Sequence, residues 1–514
     1  MTKRISNALL ERFAEFLASR MGWYYPKEKQ LDLLKGVRAV TKTFGFEDPE
    51  ECIYWLISKP LSKRQVETLA CQFTVGETYF FREPKVFNAL ERNVLLNLIR
   101  KRRGVDQRLR LWSAGSCTGE EPYSLAILLT RMIPDLQDWN ITILATDINP
   151  QFLERAQNGI YREWSFRGTP YWLKENYFEK TGDGIYEILP QIKRMVKFQH
   201  INLVEDAYPS LFNDTNAMDF VFCRNVLMYF TPEQVKTIVD RFFLSLVENG
   251  WLIVGSSETS HILFSRFITV NFPGAILYEK DTQEKRKIRH MVQENVGPSD
   301  PLSATYTMAP LYYFQAKSDP GLQFATNPEP VAAVQQKHPV VHETAEQTTN
   351  VYEAALVSFE AGEYQAAIDR ITDAVQEASS NIKLLTLLAK AYANQGRLND
   401  AIHWCEKAIA TDKLNPECHH LRAVILQEQG QTKSAVDALK RTLYLDSNFV
   451  LAHYMLGNIS FQVGKVKESR KYYQNALDIL KKHKREDILP ESDGITAGHL
   501  MEMIQLSIMK EHNA

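Results

Sequence analysis

The chain has 514 residues, of which 45% are hydrophobic and 24% are charged, an ordinary balance for a globular protein of roughly three domains. A formal net charge of -2 gives no global basic field for binding nucleic acid or an acidic membrane surface, and the lack of any run of about 18 apolar residues argues against a membrane span. Six scattered cysteines without a CxxC pair, and an N-terminus without a signal-peptide core, indicate a cytoplasmic protein with reduced thiols and no metal site.

The N-terminal residues 1–75 are predicted to form a helical subdomain. Apolar residues recur at helical spacing in ISNALLERFAEFLASRMGW and again in the segment that follows it. In this second segment Lys35, Arg38 and Lys42 are spaced so that they share one helix face. Taken alone, such a basic face is typical of a solvated surface.

Residues 76–280 are predicted to form an α/β domain with a mostly parallel sheet. Short strand candidates that end in polar or small residues alternate with helical patterns, as in a series of βα units. The strand candidates read LRLWSAG, ITILATD, AMDFVFCRN and GWLIVGSSE. The helical patterns between them include EPYSLAILLTRMI and NPQFLERAQNG.

Residues 281–349 are predicted to form a flexible linker. This segment is rich in Gln, Pro, Ser, Thr and His, and it shows no sustained hydrophobic period. It holds too little apolar surface to fold alone. We therefore expect the regions on either side of it to be separate domains on a tether, so that the catalytic region can search for its substrate near a bound partner.

From residue 350 to the C-terminus the sequence repeats with a period of 34 residues. The glycines of this period are Gly362, Gly396, Gly430 and Gly464. Small residues fill two further columns at the same step, Ala355, Ala389, Ala423 and Gly457 in one and Ala367, Ala401, Ala435 and Ser469 in the other. This is the tetratricopeptide signature, because small side chains let the two helices of each unit pack closely. Residues 350–514 are thus predicted to form all-α repeats with a C-terminal cap. The concave groove of the repeats would bind a further protein ligand.

The stretch LWSAGSCTGEEPYSL, residues 111–125, is the most informative turn of the α/β region. It lacks the spacing of a dinucleotide fingerprint and the Lys of a P-loop, and its paired acids Glu120 and Glu121 would repel a phosphate. A better fit is a ligand with hydroxyls, an amine and a positive charge, such as S-adenosylmethionine. Asp147 ends the next strand, where a carboxylate can accept hydrogen bonds from both ribose hydroxyls.

Simpler interpretations of this turn remain open. Glu120 and Glu121 are equally suited to stabilise a helix N-terminus, and Asp147 suits a cap on the next helix. A nucleophile built on Cys117 would need a partnering His, and the sequence signals none nearby.

Four stretches, in order, resemble the CheR-type chemoreceptor methyltransferases, enzymes that methylate glutamates on bacterial chemoreceptors. They read TVGETYFFRE, SAGSCTGEEPYSLA, INLVE and FCRNVLMYF, and GIYREW and GSSE also fit the family. The resemblance covers roughly residues 1–280 and implies a Rossmann-like domain that depends on S-adenosylmethionine. It also implies a small antiparallel β insertion at about residues 161–200.

The resemblance assigns cofactor-binding roles to Thr78, Arg82, Glu120, Asp147, Asn202, Leu203, Arg224 and Asn225. The first two would hold the methionine end, the two acids would contact polar groups of the methionine and ribose, and the last four would line the adenosine side. Tyr229 would face the reacting methyl group and is the catalytic candidate. Aromatic faces such as Phe80, Phe81 or Tyr229 would suit the cationic sulfonium. Gly76 stands where some members carry an Asn that touches the cofactor, so that contact is not transferred.

The implied reaction is methyl transfer to glutamate carboxylates on the cytoplasmic domain of a chemoreceptor, with S-adenosylhomocysteine as the product. The basic helix face would meet the acidic methylation face of the receptor, and any membrane contact would be indirect, through the receptor. No nucleic-acid partner is expected, since no NPPY-like base-flipping motif occurs. Two alternatives remain, a methyltransferase for another substrate and a scaffold with an inactive methyltransferase module. Intact Arg82, Glu120, Asp147 and Asn225 argue against the scaffold.

Overall fold

The computed structural model describes residues 5–59, 61–281, 345–375, 381–492 and 494–512. Almost all of the predicted linker, residues 281–349, lies outside these ranges. Within them, no helix is both long enough and apolar enough to cross a membrane. The six cysteines all lie in the described ranges and are free thiols.

The N-terminal bundle consists of α1 (Asn7–Met21), α2 (Gln30–Thr43), α3 (Pro49–Ile57) and α4 (Lys63–Phe73). Local sequence defines the start of α3, because the Asp48 side chain accepts a hydrogen bond from the Glu50 N–H. The apolar faces of the helices share one buried core. Within it α2 and α4 approach closely at Gly36, where an added Cβ would lie 2.1 Å from the Phe73 ring.

Residues 108–280, all of which the structure describes, hold a seven-stranded sheet of order β6-β2-β1-β7-β8-β10-β9. Its strands are β1 (Arg108–Ala114), β2 (Asn140–Asp147), β6 (Val196–His200), β7 (Met218–Cys223), β8 (Leu246–Val254), β9 (Phe267–Phe272) and β10 (Ala275–Lys280). The first five in this order are parallel, whereas β10 pairs antiparallel with β8 and β9. Every residue of β1 and β7 is buried, as expected for central parallel strands. The four predicted strands correspond to β1, β2, β7 and β8, and the predicted α/β fold is confirmed.

Helices cover both faces of this sheet or flank it. They are α5 (Pro84–Ala89), α6 (Leu95–Arg102), α7 (Glu120–Met132), α8 (Pro150–Asn158), α9 (Trp172–Tyr177), α10 (Pro190–Lys193) and α11 (Pro232–Ser245). The helix α7 follows the glycine turn, and most of its residues as far as Leu129 are buried. It is therefore a core helix, which fixes the position of the turn that precedes it.

A small antiparallel sheet of order β3-β5-β4 follows α8. Its strands are β3 (Ile160–Arg162), β4 (Phe178–Gly182) and β5 (Ile185–Ile188). It lies where the insertion of about residues 161–200 was predicted. However, β6 falls within that span and pairs in parallel with β2. The insertion therefore ends before β6, which is the edge strand of the large sheet.

The C-terminal region is all-α and consists of paired helices. They are α12 (Ala345–Glu360), α13 (Tyr364–Val375), α14 (Ile382–Asn394), α15 (Leu398–Thr411), α16 (Pro416–Glu428), α17 (Thr432–Leu445), α18 (Val450–Gln462), α19 (Val466–Leu480) and the last helix α20 (Ala497–His512). Gly362, Gly396, Gly430 and Gly464 stand between the two helices of each pair with φ of +73°, +74°, +75° and +76°. The helical repeats predicted from the 34-residue period are confirmed.

The repeats pack directly against the base of the α/β sheet, where the parallel strands begin. The Glu428 carboxylate at the end of α16 accepts a hydrogen bond from Asn216 Nδ2 at 2.8 Å and lies 3.6 Å from Arg108 Nη2. Asn140 Nδ2 donates to the Glu428 carbonyl at 2.7 Å, and Arg108 Nη1 donates to the Gly396 carbonyl at 3.2 Å. The α/β region and the repeats are parts of one compact unit, so the expectation of separate, tethered domains is wrong.

The loop between β6 and β7 supplies apolar side chains to this contact. Leu211 is buried within the apolar cluster of the first repeats, and the Phe212 ring lies 5.2 Å from the Tyr454 ring. The turn of the first repeat also abuts α11, because an added Cβ at Gly362 would lie 1.9 Å from Leu244. Part of the repeat surface is thus covered by the chain's own α/β region.

We expect Glu428→Ala to destabilise the protein by about 3 kcal/mol, because it leaves Arg108 as a buried cation without its counter-charge. Burial lowers the pKa of Arg108, and the nearby Arg110 acts in the same direction. Urea unfolding of the full-length protein measures the loss.

The matched control is Glu406→Ala. Glu406 pairs with Arg422 at 3.5 Å on a more exposed part of the repeats, so its removal should cost less than about 1 kcal/mol. Equal stabilities for Glu428→Ala and Glu406→Ala would contradict the role given to the buried contact.

Candidate functional site

A cavity of about 850 Å³ lies at the carboxyl ends of β1, β2 and β7. Ligands of open parallel sheets bind at this edge, beside the point where the strand order reverses. The predicted site residues that line the cavity are Thr78, Arg82, Asp147, Asn202, Leu203, Arg224, Asn225 and Tyr229. Glu120, the remaining one, is not part of the cavity wall.

Glu120 and Glu121 have different surroundings at the start of α7. The Glu120 carboxylate is buried and accepts hydrogen bonds from Thr118 Oγ1 at 2.6 Å and Ser165 Oγ at 3.0 Å, and burial raises its pKa. Glu121 instead lines the cavity and accepts from Ser113 Oγ at 2.7 Å. Successive side chains on a helix point about 100° apart, so the two adjacent acids point in different directions. Of the two acids, Glu121 lines the cavity and Glu120 does not, a difference that the motif alone does not indicate.

Arg224 holds two parts of the cavity wall together. Its Nη1 donates to Glu121 Oε2 at 3.0 Å, and its Nη2 donates to the Arg82 carbonyl at 2.5 Å. Glu83 Oε2 lies 3.5 Å from Nη2. A guanidinium surrounded by two carboxylates and a carbonyl fixes the geometry of all three. Arg224 therefore positions Glu121 and the backbone that carries Arg82.

Asp147 ends β2 and is buried in the cavity wall. Its Oδ2 accepts from the Cys117 N–H at 2.8 Å, and its Oδ1 accepts from the Asn149 N–H at 2.9 Å. Burial raises the pKa of Asp147 to about 6, although these backbone hydrogen bonds act in the opposite direction. Each oxygen has a further lone pair for a hydroxyl donor. The helix that follows is capped by Asn149, so the capping alternative for Asp147 is wrong.

The glycine turn adopts backbone conformations that most residues avoid. Gly115 and Gly119 have φ of +80° and +94°. An added Cβ would lie 2.4 Å from Val226 at the first position and 2.9 Å from Ala156 at the second. Burial raises the pKa of the Cys117 thiol, and no histidine is among the described residues that line the cavity. The site therefore does not support a thiolate nucleophile.

Glu258 supports the loop that carries Asn225 and Tyr229. Its Oε2 accepts from the N–H groups of Asn225 at 2.6 Å and Gly255 at 2.9 Å, and its Oε1 accepts from the Met228 N–H at 3.2 Å. Asn225 has φ of +60°, a left-handed conformation that these bonds help to hold. The GSSE stretch fits the family, but the resemblance assigns no role to Glu258, and only the folded loop shows what it does.

The N-terminal bundle closes one side of the cavity. Trp23, Tyr24, Tyr25 and Lys29, which precede α2, belong to its wall. The Tyr24 N–H donates to the Tyr229 carbonyl at 2.7 Å, and Lys29 Nζ lies 5.5 Å from the centre of the Tyr229 ring. These contacts join segments far apart in the sequence, so no local pattern predicts them.

The aromatic segment before α5 reaches the cavity through different rings from those predicted. Phe80 is fully buried in the core, and neither Phe80 nor Phe81 is part of the cavity wall, so their proposed position beside the sulfonium is wrong. Tyr79 and Arg82 do line the cavity. Arg82 is held by its Nη1, which donates to the Glu77 carbonyl at 2.7 Å.

The cavity suits a ligand that has a cationic group and several polar groups. Arg224 Nε, Asn225 Oδ1 and Ser116 Oγ belong to wall residues, are buried, and have no hydrogen-bond partner within the described part of the chain. Asp147 and Glu121 supply acceptors for hydroxyls and an amine, and the aromatic rings suit a sulfonium. The sheet order, the acid at the end of its second strand and this cavity define a Rossmann-like methyltransferase that uses S-adenosylmethionine.

Comparison with known proteins agrees with this class. Residues 76–273 match the family described as CheR methyltransferase, SAM binding domain. A chemotaxis protein methyltransferase of Borreliella burgdorferi is 31% identical over 252 residues, which are 49% of this chain and 87% of that protein. Chemotaxis protein methyltransferase 1 of Pseudomonas aeruginosa is 31% identical over 278 residues, which are 53% of this chain and 98% of that protein. The chain belongs to the CheR family of chemotaxis protein methyltransferases, which depend on S-adenosylmethionine.

The C-terminal region matches other families. Residues 358–425 match the tetratricopeptide repeat family, and residues 394–483 match the family of anaphase-promoting complex, cyclosome, subunit 3.

Two further proteins are similar to parts of the chain. The probable biofilm formation methyltransferase WspC of Pseudomonas aeruginosa is 29% identical over 279 residues, which are 54% of this chain and 64% of that protein. A crystal structure of MamA aligns with 31% of this chain and 92% of its own at a TM-score of 0.24 and 20% identity, too low a similarity to support a conclusion.

We expect S-adenosylhomocysteine to bind more weakly as the pH falls below about 6. Hydroxyl donors favour the ionised Asp147 carboxylate, and a pKa of about 6 means that protonation removes this acceptor just below neutral pH. Each pH unit below that value should raise the dissociation constant by up to about tenfold in isothermal titration calorimetry.

Asp147→Asn is the control for this pH effect. Its affinity should be lower than that of the wild type and should no longer vary over this pH range. In the absence of ligand, the stability of the folded protein has the opposite pH dependence. The raised pKa of Asp147 makes the folded protein bind the proton more tightly than the unfolded chain, so protonation of Asp147 stabilises the fold as the pH falls. A wild-type affinity that stays constant down to about pH 5 would contradict the assignment of Asp147 to the ligand.

We expect Glu258→Ala to weaken binding of S-adenosylhomocysteine by about tenfold, because the N–H groups of Asn225 and Met228 in the loop, and that of Gly255 beside it, lose their acceptor. Calorimetry on a variant whose circular dichroism matches the wild type measures the effect. Glu233→Ala, an exposed acid in the first turn of α11, should change nothing. A similar affinity in both variants would show that Glu258 does not support the site.

Proposed function

We propose that the protein transfers the methyl group of S-adenosylmethionine to glutamate side chains of a methyl-accepting chemoreceptor, giving glutamate methyl esters. The observation that carries the proposal is a basic surface that adjoins the cavity, since Lys35 both lines the cavity and is exposed on α2. The names of the relatives, chemotaxis protein methyltransferases, support the same substrate class.

The basic surface of α2 suits an acidic protein substrate. Lys35, Arg38 and Lys42 are all exposed, and their spacing places them on one side of the helix. Lys35 pairs with Asp32 at 3.1 Å, but both side chains are exposed, so the pair is weak and leaves the ammonium free to meet another acid. Opposite charges on the two surfaces would steer the receptor to the cavity and set its orientation.

In this proposal the cofactor is held by residues that the cavity brings together. Thr78 and Arg82 take the methionine carboxylate, Glu121 takes its ammonium group, and Asp147 takes the ribose hydroxyls. The adenosine side is lined by Asn202, Leu203 and Asn225. When bound, S-adenosylmethionine supplies a methyl group on a sulfonium that is a good leaving group.

The protein's own part in the reaction is to align the groups and to exclude water. A glutamate carboxylate is ionised near neutral pH, so no general base is needed. Burial raises the pKa of Tyr229, so its hydroxyl stays protonated and can donate to an incoming carboxylate oxygen. Trp23 and Tyr25 cover the cavity beside it. Such alignment can remove about 7–11 kcal/mol from a barrier in well-oriented systems.

A labelling experiment tests the proposal directly. The full-length protein is incubated with methyl-labelled cofactor and membranes containing a candidate chemoreceptor, and label released from the receptor by mild base is measured. The proposal expects base-labile methyl esters on the receptor. Label that resists base or enters another molecule would favour a different substrate. An absence of both label and S-adenosylhomocysteine binding would favour the inactive scaffold.

We expect the double variant Arg38→Glu, Lys42→Glu to raise KM for the receptor by about tenfold or more, because it reverses the charge of the surface that meets acidic residues. The affinity for S-adenosylhomocysteine should stay unchanged, since neither residue lines the cavity. The control Lys433→Glu, Lys440→Glu makes the same change in net charge on the exposed side of α17. Equal KM values for the two double variants would rule out a receptor contact at α2.

We also infer that the repeats bind a further protein partner, which would direct the enzyme to a particular receptor. The tetratricopeptide match supports this role. The surface around Glu428 is buried against the sheet, so a partner would bind elsewhere on the repeats or displace this contact. In this proposal the repeats both pack against the α/β sheet of their own chain and bind a separate protein partner.

A further inference from the structure

The segment from Asn202 to Asn216 runs from the cavity to the repeats. It begins with Asn202 and Leu203 in the cavity wall, and it ends at Asn216, whose side chain donates to Glu428. A second cavity, of about 1160 Å³, lies between β6 and the last repeat helices, and both Asn202 and His499 line it. The same segment therefore belongs to the proposed cofactor site and to the contact with the repeats.

Asp206 connects Asn202 in the cofactor cavity with His499 in the repeats through its two carboxylate oxygens. Oδ2 accepts from the Asn202 N–H at 2.6 Å, and Oδ1 lies 3.1 Å from Nδ1 of His499, in the first turn of α20. Burial raises the pKa of Asp206, but hydrogen bonds from His499 and Asn202 outweigh it, and the pKa lies below its usual value. The carboxylate is thus ionised and serves as an acceptor on both sides.

The Asp206 side chain closes a tight turn. The Asn202 carbonyl accepts from the Asp206 N–H at 3.0 Å, and Asn202 Oδ1 accepts from the Val204 N–H at 3.0 Å. Without the imidazole of His499 the carboxylate would be mostly buried and short of a donor. It would then rotate away from Asn202 or become protonated, and either change would loosen the turn.

We propose that His499 is a positioning residue for the cofactor site, which it reaches from the last helix of the repeats through Asp206 and the Asn202 main chain. This inference rests on the proposed place of Asn202 and Leu203 beside adenosine. It makes cofactor affinity depend on the docking of the repeats, although no repeat residue is among the described residues that line the cofactor cavity.

The test uses the full-length protein and S-adenosylhomocysteine as the probe. His499→Ala should raise the dissociation constant by about tenfold, and His499→Gln should restore part of the affinity because its amide can still donate to Asp206. At saturating S-adenosylmethionine, kcat should remain within about twofold of the wild type, since His499 touches no reacting group. His483→Ala, in the same region of the repeats and paired only loosely with Asp487 at 3.9 Å, is the matched control.

A double-mutant cycle separates positioning from general stability. If His499 acts through Asp206, adding His499→Ala to Asp206→Asn should weaken binding little further, whereas independent effects would multiply. A loss of thermal stability with an unchanged dissociation constant would overturn the proposal, as would multiplying effects in the cycle. Because product binding is the readout, this failure differs from failure of the receptor assignment, in which binding is normal and no methyl ester forms.

Discussion

Carboxylates that accept main-chain N–H groups give the cavity its shape, and the other parts of the site depend on them. Asp147 holds the glycine turn, Glu258 holds the loop of Asn225, and Asp206 holds Asn202. The three acids end or follow β2, β8 and β6. The backbone leaving a parallel strand has no partner in the neighbouring strand, so it needs an acceptor once water is excluded. Buried acids meet this need.

The distribution of charge around the cavity suits the proposed reaction at each stage. Glu121 and Asp147 lie in the wall, whereas Lys35 and Arg38 are exposed on α2. The carboxylates of Glu121 and Asp147 favour a cationic ligand beside them, and the exposed basic residues of α2 favour a carboxylate that approaches from outside. Methyl transfer removes the positive charge from sulfur, so the interior holds the product less strongly by electrostatic attraction than the cofactor.

Patterns within single segments were predictable from the sequence, and contacts between distant segments were not. The mostly parallel sheet follows from alternating βα units, and the repeats follow from their period. The choice between Glu120 and Glu121 depends on the rotation of one helix, which the motif does not encode. Trp23 and Tyr25 reach the cavity through tertiary packing, and Glu258 acts on backbone groups that have no sequence signature. The docking of the repeats was missed because the polar linker indicated that the repeats and the α/β region are independent domains. The buried contact between them depends on single residues such as Glu428, which form no pattern in the sequence.

The way the repeats dock also fixes how many of them the chain can have. Gly396 and Glu428 meet the base of the sheet from successive repeats, and His499 meets Asp206 beyond the fourth pair of helices. A helical repeat array normally gains or loses units with little effect, because each unit contacts only its neighbours. Here an added unit would carry the terminal helix away from the loop after β6. The number of repeats is therefore constrained by these contacts. Amino-acid substitutions that keep the length of the array are compatible with them, whereas the insertion or deletion of a whole repeat is not.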